Sequence, residues 1–403
     1  PIASEILKSG VDRRVLYIAM LLHDIGKGLP EDHSIAGANI AKKIAPELGL
    51  STLETERVVW LVENHLVMSD FAQKRDLSDP RTVSNFGKIV KTTSNLNLLT
   101  VLTVCDIMGV GPGALNNWKA QLLRELYTNT RNLIKGGLDT QGKNKPYEIA
   151  KSTLTDLLVD WDNLEIQREI DRHYPAYWQG LDTNTQYIFA NLFKSFGSKK
   201  IVSHYEVDED RDATRAQFVM QDHPGIFSRL TGAIALANAN VIDARTYTTS
   251  DGYATPVFWI QDNDGKPFDL SRLNRLKKLI EQTLSGDVIA RDALKVRNKL
   301  KPRERNFKVP TDITFDNQGS DIYTIIEVDT RDRNSLLFDL TRTLANANIQ
   351  IASAVIATYG AQAVDVFYVK DMIGLKITAE NKQQSIREKL QQAIELGAEA
   401  SMA

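Results

Sequence analysis

From about residue 213 onward the chain runs through one order of elements twice, and no other feature narrows its fold so far. Ala216 to Met220 reads as a strand, Gln-Asp-His-Pro-Gly at 221–225 as a turn, and Leu230, Ile234 and Ala237 as the apolar stripe of a helix. A strand pair follows, with a turn at Ser250-Asp251-Gly252 and the run Val257-Phe258-Trp259-Ile260, then a helix from Asp269 past Leu273, Leu276 and Ile280. The second pass offers a strand from Ile322 to Val328 and a helix lined by Leu336, Leu337, Leu340 and Leu344. It continues with a strand through Ile349, Ile351, Val355 and Ile356, the aromatic strand Val366-Phe367-Tyr368-Val369 and a closing helix from Glu380 to Ile394. Leu-Thr recurs at 230–231 and 340–341, 110 apart, whereas Leu-Ala-Asn-Ala-Asn recurs at 236–240 and 344–348, 108 apart. Each unit reads as βαββαβ, a ferredoxin-like plan with helices on one face of a four-stranded sheet. Two repeats are too few for a solenoid, and pairing of the two sheets is the natural way to cover exposed edges.

Upstream, to about residue 200, apolar residues recur at helical spacing. Val15, Ile18, Leu21 and Leu22 form a stripe that leads into His23, and Ser34 is read as the cap of a helix through Lys43. Ser51 and Glu54 match a capping box before Val58, Leu61, Val62 and His65. Asp79-Pro80 is a cap followed by a first-turn proline. Leu98, Leu99, Leu102 and Ile107 mark an apolar helix whose only charge is Asp106, a carboxylate that must be paired, protonated or metal-bound if it is buried. Residues 117–127 form a further amphipathic helix, with Gly136-Gly137 as punctuation. Trp161, Tyr174, Tyr177 and Trp178 read as packing rather than a binding surface, and His173 as a surface residue.

The chemistry concentrates at His23-Asp24, an imidazole beside a carboxylate at the end of an apolar helix. Nitrogen and oxygen donors together suit a divalent first-row metal. Lys27, His33, His65 and Asp106 lie at the ends of other helical runs and are the remaining candidates. The charge is nearly balanced, 49 basic against 51 acidic residues, so bulk electrostatics argues for neither a nucleic-acid nor a membrane partner. The single cysteine, Cys105, excludes an internal disulfide framework and fits a reducing, cytoplasmic setting. No uninterrupted apolar run of about 18 residues and no signal-peptide pattern is seen. The helical pattern starts almost at Pro1, so the chain is expected to be part of something longer, cut on its N-terminal side.

Asp-His-Pro-Gly-Ile-Phe at 222–227, between a strand and a helix, resembles the amino-acid-binding ACT domain. The first half is similar to the HD-domain metal-dependent phosphohydrolases. More narrowly, residues 21–28, 32–34, 63–69, 75–80, 106–112 and 117–127 resemble one family. That family is the bacterial bifunctional uridylyltransferase/uridylyl-removing enzymes, glutamine sensors that modify the nitrogen regulatory protein PII. The resemblance covers nearly the whole chain, as an all-α HD-domain helical bundle followed by two α+β ferredoxin-like ACT domains. The expected divisions are 1–143 for the HD domain, 144–204 for a helical connector, 205–299 for the first ACT domain, and 300–403 for a linker and the second.

The resemblance implies hydrolysis of the uridylyl-tyrosine phosphodiester on uridylylated PII, with Mn2+ or Mg2+ as cofactor and L-glutamine as allosteric ligand. It implies His23, Asp24 and Asp106 as metal ligands, with His33 and His65 completing a second position or contacting phosphate, and Lys27 neutralising phosphate oxygens. Glutamine is expected at Asp222, His223, Pro224, Gly225, Ile226 and Phe227. There the helix N-terminus offers free amides to a carboxylate, and Asp222 would receive the ammonium group. The second copy reads Asp332-Arg333-Asn334-Ser335, lacks the Pro-Gly and is expected to bind less well. Self-association through the ACT domains is a further expectation. Two departures stand out: the family's transferase domain is absent, and no histidine precedes His23, although HD domains take a ligand from an earlier helix. The competing readings are an HD–ACT hydrolase of guanosine tetraphosphate and a non-catalytic amino-acid-binding regulator.

Overall fold

The computed structural model describes residues 2–111, 113–136, 146–295, 309–333, 335–359 and 361–402. Gly137, Asn334 and the expected boundaries at 143/144 and 299/300 lie outside them. The chain divides into two compact units, 1–141 and 142–403.

The first unit is helical among its described residues: α1 Ile2–Ser9, α2 Arg13–Leu22, α3 His33–Glu47, α4 Thr52–Glu63, α5 Val67–Lys74, α6 Pro80–Val90, α7 Thr93–Val110 and α8 Asn117–Gly136. Local chemistry sets most starts. Asp12 accepts the Val15 amide at the head of α2, Ser51 and Glu54 close their capping box on α4, and Asp79 caps α6 ahead of Pro80. Asp32, not Ser34, caps α3, taking the amides of Ser34 and Ile35. The aspartate stands just ahead of the helix, where it reaches those N–H groups, and Ser34, two residues on, is left buried inside the first turn. Val15, Ala19, Val58, Leu61, Leu96, Leu99 and Leu102 meet in the core. By length and composition α7 is apolar enough to cross a membrane, with mean hydropathy 1.3. Its Leu96, Leu99 and Leu102 are nonetheless buried in the core of this unit.

The second unit opens with α9 Pro146–Leu157, α10 Asn163–Arg172, α11 Pro175–Gly180 and α12 Thr183–Phe196. Strands β1 Ile201–Asp208, β2 Ala213–Gln221, β3 Asn240–Arg245, β4 Tyr253–Ala254 and β5 Val257–Gln261 follow, with α13 Ile226–Leu236 between β2 and β3, then α14 Leu273–Ser285 and α15 Ala290–Lys295. The second copy has β6 Asp312–Asp316, β7 Thr324–Arg331, α16 Leu336–Asn346, β8 Ile349–Tyr359, β9 Gln362–Asp371 and α17 Glu380–Met402. One antiparallel sheet runs β1-β2-β5-β3-β8-β9-β7-β6, with β4 beside β2. Within each copy the spatial order is ferredoxin-like, but the chain order is ββαββα rather than the expected βαββαβ. The edge strand comes first, not last, and β1 runs through the expected boundary at 204/205.

The copies join where β3 pairs with β8, Asp243 opposite Val355 and Arg245 opposite Ser353, so each covers an edge of the other. Helices α13 and α16 lie side by side above this seam. The hydroxyls of Thr231 and Thr341 meet at 3.0 Å in their buried interface. The opposite face of the first copy carries the connector helices, with Tyr177, Trp178 and Phe189 packed among Val219, Val257 and Trp259. His173, expected at the surface, is buried there. Its Nε2–H reaches Glu169 at 3.0 Å, and its ring stacks on Tyr177 at 3.7 Å. A partner one helical turn back lets a charged-looking stretch turn one polar pair inward.

Candidate functional site

In the helical unit, α2 ends at His23, which is its C-cap, and the chain then turns through Gly26. A Cβ on Gly26 would overlap the carbonyl oxygen of His33 and come within 2.7 Å of the Gly37 nitrogen. Only glycine therefore allows this turn to lie against the start of α3, and that contact brings His33 beside His23-Asp24. His65 arrives from the turn after α4, and Asp106 from the last turns of α7.

These side chains converge. His23 Nε2 lies 3.3 Å from Asp106 Oδ1 and 3.4 Å from Asp24 Oδ2, and His65 Nε2 lies 3.8 Å from Asp24 Oδ1. The rings of His23 and His33 each stand edge-on to His65, with centroids 5.4 and 5.3 Å away. The donor atoms of Asp24, His33 and His65 form one group within 4.8 Å, and those of His23, Asp24 and Asp106 another, so Asp24 is shared. Nδ1–H of His23 donates to the Met20 carbonyl at 2.8 Å, and Nδ1–H of His65 to the Val62 carbonyl at 2.7 Å. Those bonds fix both rings with Nε2 toward the cluster, as in histidines that ligate metals. Nε2 of His65 and of His33 is buried with no hydrogen-bond partner. The orphaned nitrogens and the N/O donor set fit a divalent first-row ion.

Electrostatics follows from the same contacts. The Asp106 hydrogen bond raises the pKa of His23 and lowers that of Asp106. Burial holds His65 below the usual imidazole range, which favours the neutral, ligating form. Lys27 reaches Asp24 Oδ2 at 2.6 Å from an exposed position. All the candidates of the helical unit thus come together.

The loop 222–227 lines a cavity of about 450 Å³ in the sheet unit. Gly225, at φ +84, takes the left-handed position ahead of α13. Asp222 does not cap that helix; its carboxylate accepts the Thr248 hydroxyl at 2.6 Å. The far wall comes from the second copy, with Gln350, Ile351 and Lys370, and the connector adds Tyr174 and Tyr177. Tyr177 packs in the core with Trp178 and Phe189, as expected, whereas Tyr174 is exposed. Tyr177 is buried with its hydroxyl unpartnered, and only the tertiary fold brings it to the loop. At the matching place in the second copy Ser335 adopts φ +66, so the turn persists without Pro-Gly.

Comparison with known proteins assigns residues 2–97 to the HD domain family, 214–280 to the ACT domain family and 312–398 to the ACR9-like, ACT-like domains. The chain is 60% identical over 399 residues to a bifunctional uridylyltransferase/uridylyl-removing enzyme of Cereibacter sphaeroides, covering 99% of this chain and 43% of that protein. Proteins of the same description from Ruegeria pomeroyi and Azospirillum brasilense are 59% and 45% identical, with 45% and 43% of their lengths covered. The chain thus spans less than half the length of these curated relatives.

Proposed function

We propose, from the premise that this chain belongs to the HD and ACT domain families and resembles part of the bifunctional uridylyltransferase/uridylyl-removing enzymes along its length, that its helical unit is a glutamine-regulated, metal-dependent phosphodiesterase. The substrate in this reading is the cytoplasmic protein PII carrying UMP on a tyrosine. Water adds to phosphorus, the bond from phosphorus to the tyrosine oxygen breaks, the phenolate takes up a proton, and UMP leaves. The observation that carries the reading is the convergence of His23, Asp24, His33, His65 and Asp106 from separate elements onto one spot.

Mn2+ or Mg2+ held there would supply Lewis acidity and a water acidic enough to attack near neutral pH. The chain's own part is to present the ligands in fixed orientation. The Met20 and Val62 carbonyls hold the imidazoles, and Asp24 and Asp106 contribute negative charge. Lys27, exposed at the mouth, is free to exchange Asp24 for a phosphate oxygen as a point charge. Glutamine is assigned to the 450 Å³ cavity, its carboxylate on the amides that open α13 and its ammonium toward Asp222. A ligand that bridges both copies favours one arrangement of the pair, and a regulator needs that differential affinity.

The test is release of UMP from uridylylated PII by this chain and by the intact enzyme in Mn2+, with and without glutamine. Glutamine-stimulated release, abolished by Asp24→Asn, is expected. Hydrolysis of guanosine tetraphosphate instead would reassign the substrate. Glutamine binding by an intact enzyme inert on both would leave a regulatory module alone.

A further inference from the structure

A second cavity of the sheet unit, about 350 Å³, opens between α15, α16 and α17. Its wall carries Arg291 on α15, Arg333 before α16, Arg342 on α16 and Lys389 on α17, against a single acid, Asp339. Arg333 is a built feature: its side chain is 4% exposed and its Nη1 lies 2.6 Å from Asp339 Oδ2 and 3.2 Å from the Ser335 hydroxyl. The room for its guanidinium comes from Gly397, where any Cβ would overlap it. Arg333 therefore neutralises Asp339. Arg291, Arg342 and Lys389 have no ion-pair or hydrogen-bond partner among the described residues. Three uncompensated cations around one hollow repel one another, and a bound anion relieves that repulsion.

At the corresponding positions the first copy lacks the two arginines. With the 110-residue offset, Arg342 falls at Gly232, whose missing side chain admits Ala290 and Phe338, and Arg333 falls at His223. The second copy has changed its wall chemistry, not merely lost a loop.

We infer that this cavity is a binding site for a phosphate-bearing small anion, separate from the amino-acid pocket. A lone carboxylate sets one charge against the three cations. A phosphate group carries close to two and accepts hydrogen bonds from several directions, which suits two guanidinium groups and an ammonium.

The experiment is calorimetric titration of the full chain with inorganic pyrophosphate, and separately with UMP, at ionic strength held constant with chloride. Succinate is the carboxylate arm. Pyrophosphate or UMP should bind to the wild type, and each of Arg342→Gln and Lys389→Gln should weaken it about tenfold. Neither side chain has a partner among the described residues, so melting temperatures should not fall, and glutamine binding should be unchanged, in these variants. Arg333 is left alone because it is packed. Equal affinity in wild type and variants, binding of succinate as tight as of pyrophosphate, or no heat beyond the chloride control would each overturn the assignment.

Discussion

The imidazole of His65 has a side chain only 1% exposed and an Nε2 without a hydrogen-bond partner. Such a group costs about 1–3 kcal/mol in a folded protein, and metal binding would recover it. Mn2+ at a hundredfold excess over its Kd should therefore raise the stability of the chain by about 2.7 kcal/mol. Asp24→Asn, which removes the charge shared by both donor groups, should show no such gain in a thermal melt. A second residue writes itself into the pH profile. Burial, with Asp332 nearby, pushes the Asp365 carboxyl up from 3.8 to about 8, and its Oδ1 has no hydrogen-bond partner. The folded chain keeps a proton that the unfolded chain releases above pH 4. Stability should thus fall by about 1.4 kcal/mol per unit between roughly pH 4 and 8. Asp365→Asn should flatten that slope in urea titrations. At this scale the sequence was legible where a residue stood at a helix end, as His23, His65 and Asp106 do. It was misleading at His173, whose burial depends on Glu169 one turn earlier. It was silent on Arg291, Arg342 and Lys389, which belong to three helices and no motif.

Elements were legible where caps and stripes agree, as at Ser51 and Glu54 or Asp79-Pro80. The order of strands was harder to read. β1 is an edge strand of mostly half-buried residues, because α12 packs against it from one side, so it shows no clean alternation. Its place in the sheet depends on pairing with β2, from Ile201 opposite Met220 to Asp208 opposite Ala213, and no local pattern declares that. The turn through Gly26 belongs to this scale too. Gly26→Ala must push α3 away from the His23-Asp24 turn, at about 1–3 kcal/mol of strain. It should weaken Mn2+ binding more than the same change at Gly28, which has open space around it. Gly28 has φ +88, so the comparison is to be read on metal affinity, with stability reported for both.

At the scale of the molecule, the seam between β3 and β8 makes one sheet of two copies. Hydrogen exchange should show β5 and β9 losing protection together, as one cooperative unit. Ala244→Pro, which cannot donate to a ladder, should cost at least the roughly 1–3 kcal/mol of a buried acceptor left unpaired and separate the two losses in time. The same seam has a consequence for what the sheet can register. Two identical protomers joined through such an edge would present every hollow twice, and their occupancies could differ only by degree. Fused into one polypeptide, the halves are free to drift apart, and here one hollow is lined by tyrosines and a Pro-Gly turn and the other by arginines. With both hollows occupied as proposed above, one sheet would weigh two unlike solutes at once, as a two-input gate does, and Asp243, Ala244 and Arg245, paired across the seam, are where coupling between them would have to pass.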